Sequence, residues 1–500
     1  MKEFEPNDDY LETADAICAI RDCIEGGFKI KLKRTEYLPD PSPVDTFSDE
    51  KRRRYSAYIA GAEFEEFALE TERAMIGLMT KGEIEFVVPP QIGYLANDVD
   101  GDGSPLSGAI ERTFKELLEV KFQVLLAEMS GLSGLDATKL SIADLKEINP
   151  KAHIKSYCRE SLIDWGFRII NGVNQLSLMI LKEESDSRNM IDFSEEENIS
   201  YLVLALDENG DYFQQRFKLI ENTKNMEAGE PFYPKIKGSS LKWIPAQIAC
   251  DEFTPSGELP CGMGFLYAIA DISLHMYRAS ADYKEALRLV QPTTFLSGGQ
   301  QGDDELFKKL NGGRQFIAWG AGAANWLPNN VTAKIEGLGV QTEPFERYFD
   351  AQRKKATLLG ATISSDNKAG NVSATESAIT ATQNDAIMVQ IVNNTESAYK
   401  RLIAYCGMYM GLWGQEEIES NLDKITLNLP KEFSSLKLTY NDVTSLIAVY
   451  NSGLIDKETV INKMVAGGFV DSEVQDIMDR IDSSGVILST GNDSSPVANN

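Results

Sequence analysis

The sequence predicts an α+β protein built from several packed units, and three observations lead there. Apolar residues recur at helical spacing through the first 130 residues. The period changes in short β-rich runs between Gln175 and Leu219. From Gly264 the helical period returns, and it culminates in one long run from Ala374 to about Trp413. Five hundred residues, 43% of them hydrophobic, exceed what one core organises, so roughly two to four packed units are expected.

The first helices read as Tyr10 to Ile24 and Arg53 to Leu78, separated by Pro39, Pro41 and Pro43. Asp98-Val99-Asp100-Gly101-Asp102-Gly103 reads as a tight turn before a helix opening at Leu106. Gln175 to Leu181, Tyr201 to Leu206 and Tyr212 to Leu219 form a small antiparallel sheet, with Asp207-Glu208-Asn209-Gly210 turning between the last two. Gly264 to Leu289 is a helix with Leu266, Ile269, Ala270, Leu274, Tyr277 and Ala281 along one side, stopped before Pro292.

Ser297 to Gly339 is rich in Gly and Asn and holds one short apolar run, Phe316 to Trp319. Phe345 to Leu359 is a helix, and Gly360 to Val372 is a polar loop containing Ser364, Ser365, Asp366, Asn367, Lys368 and Asn371. Ser373-Ala374-Thr375-Glu376 is a capping box: Ser373 accepts from the backbone N–H near Glu376, whose side chain reaches back to the cap. The helix it opens would be roughly 60 Å long at 1.5 Å per residue. Ile425, Leu427 and Leu429 alternate as a strand. Tyr440 to Tyr450, Lys457 to Val465 and Ser472 to Ile481 are short amphipathic helices, punctuated by Asn451-Ser452-Gly453 and Gly467-Gly468. Ser483 to Asn500 has the composition of a disordered tail.

Composition narrows the chemistry. A formal charge of -27 argues against a surface that simply adheres to nucleic acid or anionic lipid. The six cysteines, Cys18, Cys23, Cys158, Cys250, Cys261 and Cys406, form no CxxC pair and read as reduced thiols. The acidic N-terminus predicts no signal peptide, and no apolar stretch approaches the roughly 20 residues of a bilayer span.

With His153 and His275 as the chain's two histidines, a Ser-His-Asp triad or a multi-histidine metal centre has almost no material. His275 falls within a helix, where a hydrogen-bonded structural role is the default, and His153 follows Pro150 in a loop. The turn at Asp98 imitates the start of a calcium loop, but its twelfth position is Ala109 where a bidentate Glu is required. Gly320-Ala321-Gly322-Ala323-Ala324-Asn325 imitates a dinucleotide fingerprint, yet Asn325 replaces the third Gly and Pro328 interrupts the helix that should follow. Ser297 to Asp303 is Gly-rich with no Gly-Lys-Ser/Thr after it. No catalytic residue, metal ligand or cofactor is expected.

Two charged segments remain. Lys51-Arg52-Arg53-Arg54 is the one dense basic run; it could contact phosphates or an acidic partner, but the flanking Asp49 and Glu50 favour the solvated first turn of a helix. Arg347, Arg353, Lys354 and Lys355 alternate with Glu343, Glu346 and Asp350, as on a solvated face or a subunit contact.

Several stretches, read in order, carry a resemblance. They are Tyr55 to Thr80, the Asp98 to Gly103 turn, Tyr157-Cys158-Arg159-Glu160-Ser161-Leu162-Ile163-Asp164-Trp165, and Leu241-Lys242-Trp243-Ile244-Pro245. Leu259-Pro260 leading into Leu266 to Tyr283, Leu358-Leu359-Gly360-Ala361 and Ala374-Thr375-Glu376 follow. Across about residues 50 to 430 the chain resembles the portal proteins of tailed bacteriophages, in an uncharacterised-domain group of portal-like proteins. Their collinear order carries the resemblance.

What the resemblance implies is the portal fold: a mixed α/β wing, a helical stem, a small α/β clip, a long wing helix and a helical crown. On that plan 1–262 is the N-terminal part of the wing, 263–290 and 341–359 are the two stem helices, and 291–340 is the clip. The tunnel loop is 360–372, the rest of the wing 373–434, the crown 435–482 and the tail 483–500. The implied protein is no enzyme but a homo-oligomeric ring, a dodecamer in the family, at the capsid vertex of the virion, assembled in the host cytoplasm.

Its implied partners are further copies of itself, double-stranded DNA passing through the channel during packaging and ejection, the terminase large subunit, a head-tail adaptor, and the major capsid or scaffolding protein; a membrane is not among them. The channel loop would present Ser364, Ser365, Asp366, Asn367, Lys368 and Asn371 to DNA. Each phosphate gripped tightly would brake a sliding duplex, so an acidic or neutral lining suits passage. The competing readings are a minor capsid or head-tail adaptor protein and, further off, a DNA-packaging enzyme, which would need the phosphate-binding lysine loop this sequence lacks.

Overall fold

The computed structural model of the chain describes residues 4–41, 49–129, 150–170, 172–188, 195–220, 225–252, 259, 262–290, 294–299, 324–328, 342–361, 374–431, 433, 444, 446–447, 449–450 and 457–466. It is a mixture of helix and sheet, as an α+β reading requires. Residues 1–429 and 430–500 form two separate units.

The first unit opens with helix α1 (Asp8–Glu25), capped by the Asn7 side chain accepting from the Asp9 N–H at 3.0 Å. Helix α2 (Gly27–Lys33) follows at once, and α3 (Asp49–Gly61) and α4 (Phe67–Met79) come next. The expected single helix from Arg53 to Leu78 is therefore two. The physical cause is Ser280, more than 200 residues away, whose hydroxyl accepts from the Glu63 N–H at 2.9 Å and lies 2.9 Å from the Glu63 carbonyl. With that side chain meeting its backbone, Glu63 needs no helical partners.

Strand β1 (Glu85–Val87) leads through the Asp98 turn into α5 (Leu106–Val120), which begins where the sequence places it. Immediately after comes strand β2 (Phe122–Met129), inside the region expected to be helical. Its residues 122–127 are all buried. Because strand side chains alternate between faces, both faces are covered, and a strand of that kind loses its period-two signal. It pairs antiparallel with β3 (Ala152–Tyr157) on one edge and with β11 (Ala246–Cys250) on the other.

Between these partners lies a five-stranded antiparallel sheet of β4 (Leu162–Ile170), β5 (Val173–Arg188), β6 (Glu195–Leu206), β7 (Tyr212–Leu219) and β8 (Met226–Ala228), in that order. The three expected strands form its middle, and the turn falls at Asp207 to Gly210 as expected: the Asp207 carboxylate accepts from the Asn209 and Asp211 N–H groups. Ile163, Ile180, Tyr201, Val203 and Phe217 build the core on one side of this sheet. Phe4 meets Tyr201 and Phe217 edge-on, with centroids 5.6 and 5.3 Å away. A two-residue pair, β9 (Lys235–Ile236) with β10 (Ser239–Ser240), follows.

Helix α6 (Tyr267–Val290) carries the expected apolar side inward: Ile269, Ala270, Leu274, Tyr277 and Ala281 are all buried. Next come β12 (Thr294–Gly299) and β13 (Ala324–Pro328), paired in parallel, which take in parts of the two Gly-rich segments. The apolar run Phe316 to Trp319 lies outside the described residues. Helix α7 (Glu343–Leu358) packs beside α6, with the Tyr283 ring tilted against Phe345 and edge-on to Phe349, centroids 5.3 and 6.0 Å away.

Helix α8 (Ala374–Tyr409) spans 36 residues, about 54 Å. It stops four residues before the expected Trp413. Gly411 takes a left-handed φ of +77°, the Leu412 N–H closes on the Gly407 carbonyl, and the Trp413 indole N–H donates to the Ala404 carbonyl at 2.8 Å. The folded-back indole ends the helix. Strand β14 (Thr426–Asn428) closes the unit by pairing antiparallel with β1. In the second unit, helix α9 (Lys457–Ala466) is described, with Val460 and Ile461 buried. The expected helix Ser472 to Ile481 and the tail after Ser483 lie outside the described residues.

Candidate functional site

The segment joining α7 to α8 is the site the sequence singles out, and its root is well defined. After Leu358 the chain turns at Gly360, φ +99°, whose N–H donates to the Thr357 carbonyl at 3.0 Å. The Asn384 side chain on α8 donates to the Gly360 carbonyl at 3.0 Å, and Ala361 is buried. A Cβ at Gly360 would lie 2.4 Å from Asn384 Oδ1 and 2.8 Å from Phe265 Cζ. Glycine is therefore required twice, for the backbone conformation and for the space.

That root joins three elements. Phe265 stands just before α6, Gly360 just after α7, and Asn384 on α8, so the connection leaves from a fixed point shared by all three helices. Farther along α7, Arg353 pairs with Glu65 in the α3–α4 connection at 2.7 Å. The six loop residues Ser364, Ser365, Asp366, Asn367, Lys368 and Asn371, the cap Ser373 and the Glu376 side chain lie outside the described residues. The described start of α8 is Ala374, the residue after Ser373.

Helix α8 is anchored along its length. Met388, Ile391, Val392, Tyr399, Leu402 and Ile403 are buried. Its polar fastenings are the Tyr399 hydroxyl, 3.0 Å from Thr113 on α5, and the Tyr405 hydroxyl, which accepts from Gln247 on β11 at 3.1 Å. Asn394 donates to the Cys250 carbonyl at 3.0 Å, and Glu396 accepts from the Leu429 N–H at the same distance.

The calcium-like turn is satisfied from within. Asp98 Oδ1 accepts from the Gly101 and Gly103 N–H groups, and Asp100 Oδ1 from Asp102 and Ser104, while Arg112 reaches Asp100 Oδ2 at 3.1 Å. Burial works to raise the Asp100 carboxyl, but these hydrogen bonds outweigh it and hold it below the usual range. Under the turn lies His153, which is neither in a loop nor exposed. It sits in β3, buried, edge-on to Tyr94 at 5.8 Å and against Gly101. His275 is half exposed on α6, 3.6 Å from Asp271. Among the described residues, no group of three or more His, Cys, Asp or Glu is disposed to hold a metal ion.

The Gly-rich segments also resolve where they are described. Ala324-Asn325 belongs to a strand, so no helix N-terminus is presented there to a pyrophosphate. Of the basic run, Arg54 on α3 pairs with Glu285 on α6 at 3.2 Å, and Arg52 and Arg53 are exposed. The described cysteines, Cys18, Cys23, Cys158, Cys250 and Cys406, are free thiols. No helix among the described residues is long and apolar enough to cross a membrane.

One cluster was not visible in the sequence. The Arg21 guanidinium donates to Glu160 at 2.8 Å, to Glu116 at 2.8 and 2.9 Å, and to Glu119. Glu72 on α4 is buried within reach of Glu119, and its Oε1 has no hydrogen-bond partner among the described residues. Burial, then the Glu72 carboxyl, push Glu119 up to about 7 against the pull of Arg21. Glu160 goes the other way: burial is outweighed by the Arg21 hydrogen bond and charge. Next to this cluster Arg159, stacked 4.9 Å over Phe122, donates to the Val120 and Gly262 carbonyls. Arg21 and Glu160 are 139 residues apart, so no local pattern announces them.

Residues 265–410 match the family model of a domain of unknown function, DUF4055. The match runs from just before α6 to just past α8, and so takes in the β12–β13 pair, α7, the loop root and the long helix. No curated protein matches the chain. The segment holding the candidate site is thus similar to a recognised but uncharacterised domain.

Proposed function

We propose that this chain is a non-enzymatic portal subunit, forming a homo-oligomeric ring that conducts double-stranded DNA into and out of a phage capsid. The observation that carries the reading is the order α6, a strand-bearing insertion, α7, a turn fastened at Gly360 and the 36-residue α8, matched as one segment by a single family model. In this reading α6 and α7 are the stem, 291–340 the clip, 360–372 the tunnel loop and α8 the long wing helix. The N-terminal helices and the five-stranded sheet complete the wing, and 435–482 is the crown.

A conduit asks for little chemistry and much rigidity. The supporting features are the buried anchoring of α8 and the triple fastening of the loop root, which would hold a polar loop at the channel wall without building a phosphate grip. Docking of the terminase, an adaptor and capsid or scaffolding protein would fall on outer surfaces of the ring. Native mass measurement and negative-stain imaging of the purified chain test the reading. The expected result is a closed ring of identical subunits, twelve or a neighbouring number. A protein that stays monomeric at all concentrations would overturn it.

A further inference from the structure

Glu72, in the middle of α4, is 5% exposed, and its Oε1 meets no hydrogen-bond partner among the described residues. It faces Glu119 on α5, which is also 5% exposed. An ionised carboxylate only accepts hydrogen bonds, so two of them facing one another away from water need a donor that neither supplies. A proton on one of them is that donor, and it also removes one of two buried like charges.

The surrounding groups do not supply another donor to Glu72. The Arg21 guanidinium on α1 spends its bonds on Glu116, Glu119 and Glu160, so three carboxylates already share that cation. In the turn before β4, Arg159 donates to the Val120 and Gly262 carbonyls and to Thr13, and the Cys158 thiol lies 3.2 Å from Ser161. Lys121, just past α5, pairs with Asp251 and Glu252 at the end of β11. On α5 itself Lys115 pairs with Glu111 and Arg112 with Asp100, and on α4 Glu70 and Arg73 are exposed. His275 of α6 pairs with Asp271, and α8 turns Tyr399 to Thr113.

We propose that a single proton shared by Glu72 and Glu119 latches α4 onto α5, and that its loss as pH rises releases this contact. With the contact closed, burial and the Glu72 carboxyl raise Glu119 to about 7. Once α4 lifts and water reaches the pair, Glu119 returns toward its ordinary 4.5 and gives the proton up. Opening therefore grows easier between about pH 4.5 and about pH 7 and levels off above. The movement is held at one end. Ser280 of α6 fastens Glu63 and Arg353 of α7 fastens Glu65, so α4 pivots about the connection that precedes it. Arg21 meanwhile keeps α1 on α5 through Glu116 and Glu119. The latch lies within one subunit and does not depend on ring formation.

The test is amide hydrogen exchange of the full-length chain at about pH 5 and about pH 8, each rate divided by its intrinsic value. Protection across residues 67–79 should fall at least about tenfold between the two, while β6 and β7 change little. Glu72→Gln and Glu119→Gln each put a permanent amide donor where the proton sits. Both variants should keep α4 equally protected at the two pH values. Difference infrared spectra over the same step should lose a protonated-carboxyl band in the unmodified chain, and part of that loss should be missing from either variant.

If protection of α4 in the unmodified chain does not change with pH, the latch is overturned, whether or not the variants fold. A pH-dependent loss that persists in both variants overturns it by assigning the effect to another group. So does a loss spread equally over α4, α6 and the five-stranded sheet, which would report unfolding of the whole unit.

Discussion

Three carboxylates, those of Glu116, Glu119 and Glu160, bond one guanidinium at the Arg21 cluster, and burial sets how tightly they hold their protons. Glu160 keeps its charge because Arg21 holds it directly, whereas Glu119 faces both Arg21 and Glu72 with little water to separate them. Two buried carboxyls that close do better sharing a proton than both ionising. The consequence for stability has a definite sign. The folded Glu119 value, about 7, lies above the ordinary 4.5, so the folded protein holds a proton that the unfolded chain releases between those values. Its contribution is complete below about pH 4.5 and is lost as pH rises through about 7. Glu119→Gln mimics the neutral form, so the fall in guanidinium midpoint from about pH 5 to about pH 8 should be shallower in the variant. Equal slopes at one protein concentration would show that Glu119 does not titrate in this window.

At the scale of elements, the junction of α6, α7 and α8 depends on a residue with no side chain. Gly360→Ala would add a left-handed backbone conformation disfavoured by roughly 1–2 kcal/mol and a contact that Asn384 or Phe265 must yield to. Gly172 offers a control, since it has a similar φ of +83° and a Cβ added there would meet nothing within 4 Å. Gly172→Ala should therefore cost about 1 kcal/mol, and Gly360→Ala about 2 kcal/mol or more. Denaturant midpoints of the two variants check this. Equal losses would mean that the loop root yields freely and does not hold the connection in place.

For the molecule as a whole, the acidity and the scarcity of histidine point the same way as the described geometry. Ala324–Pro328 is a strand where a nucleotide site needs a helix start, and the Asp98 turn spends its carboxylates on backbone N–H groups. The purified protein is expected to hydrolyse no ATP and to cut no DNA, while remaining able to stimulate a separate packaging ATPase. Magnesium-dependent turnover that survives contaminant controls would contradict this. In the ring reading proposed above, a subunit of charge -27 would have to assemble against its own repulsion, so local pairings of basic and acidic surface would matter more than net charge.

What the sequence determined by itself is whatever a few neighbouring residues can encode. The helices α5, α6 and α7 and the strands β5 to β7 with their Asp207 turn follow from periodicity and turn chemistry within a single stretch of chain. Tertiary structure decided the rest, because the deciding partner is distant. Ser280 takes over the Glu63 backbone and splits a helix; burial on both faces makes Phe122–Met129 a strand; packing under the Asp98 turn buries His153. The Arg21 cluster gathers residues from α1, α4, α5 and the turn before β4, and its electrostatics exist only once low-dielectric burial has brought them together.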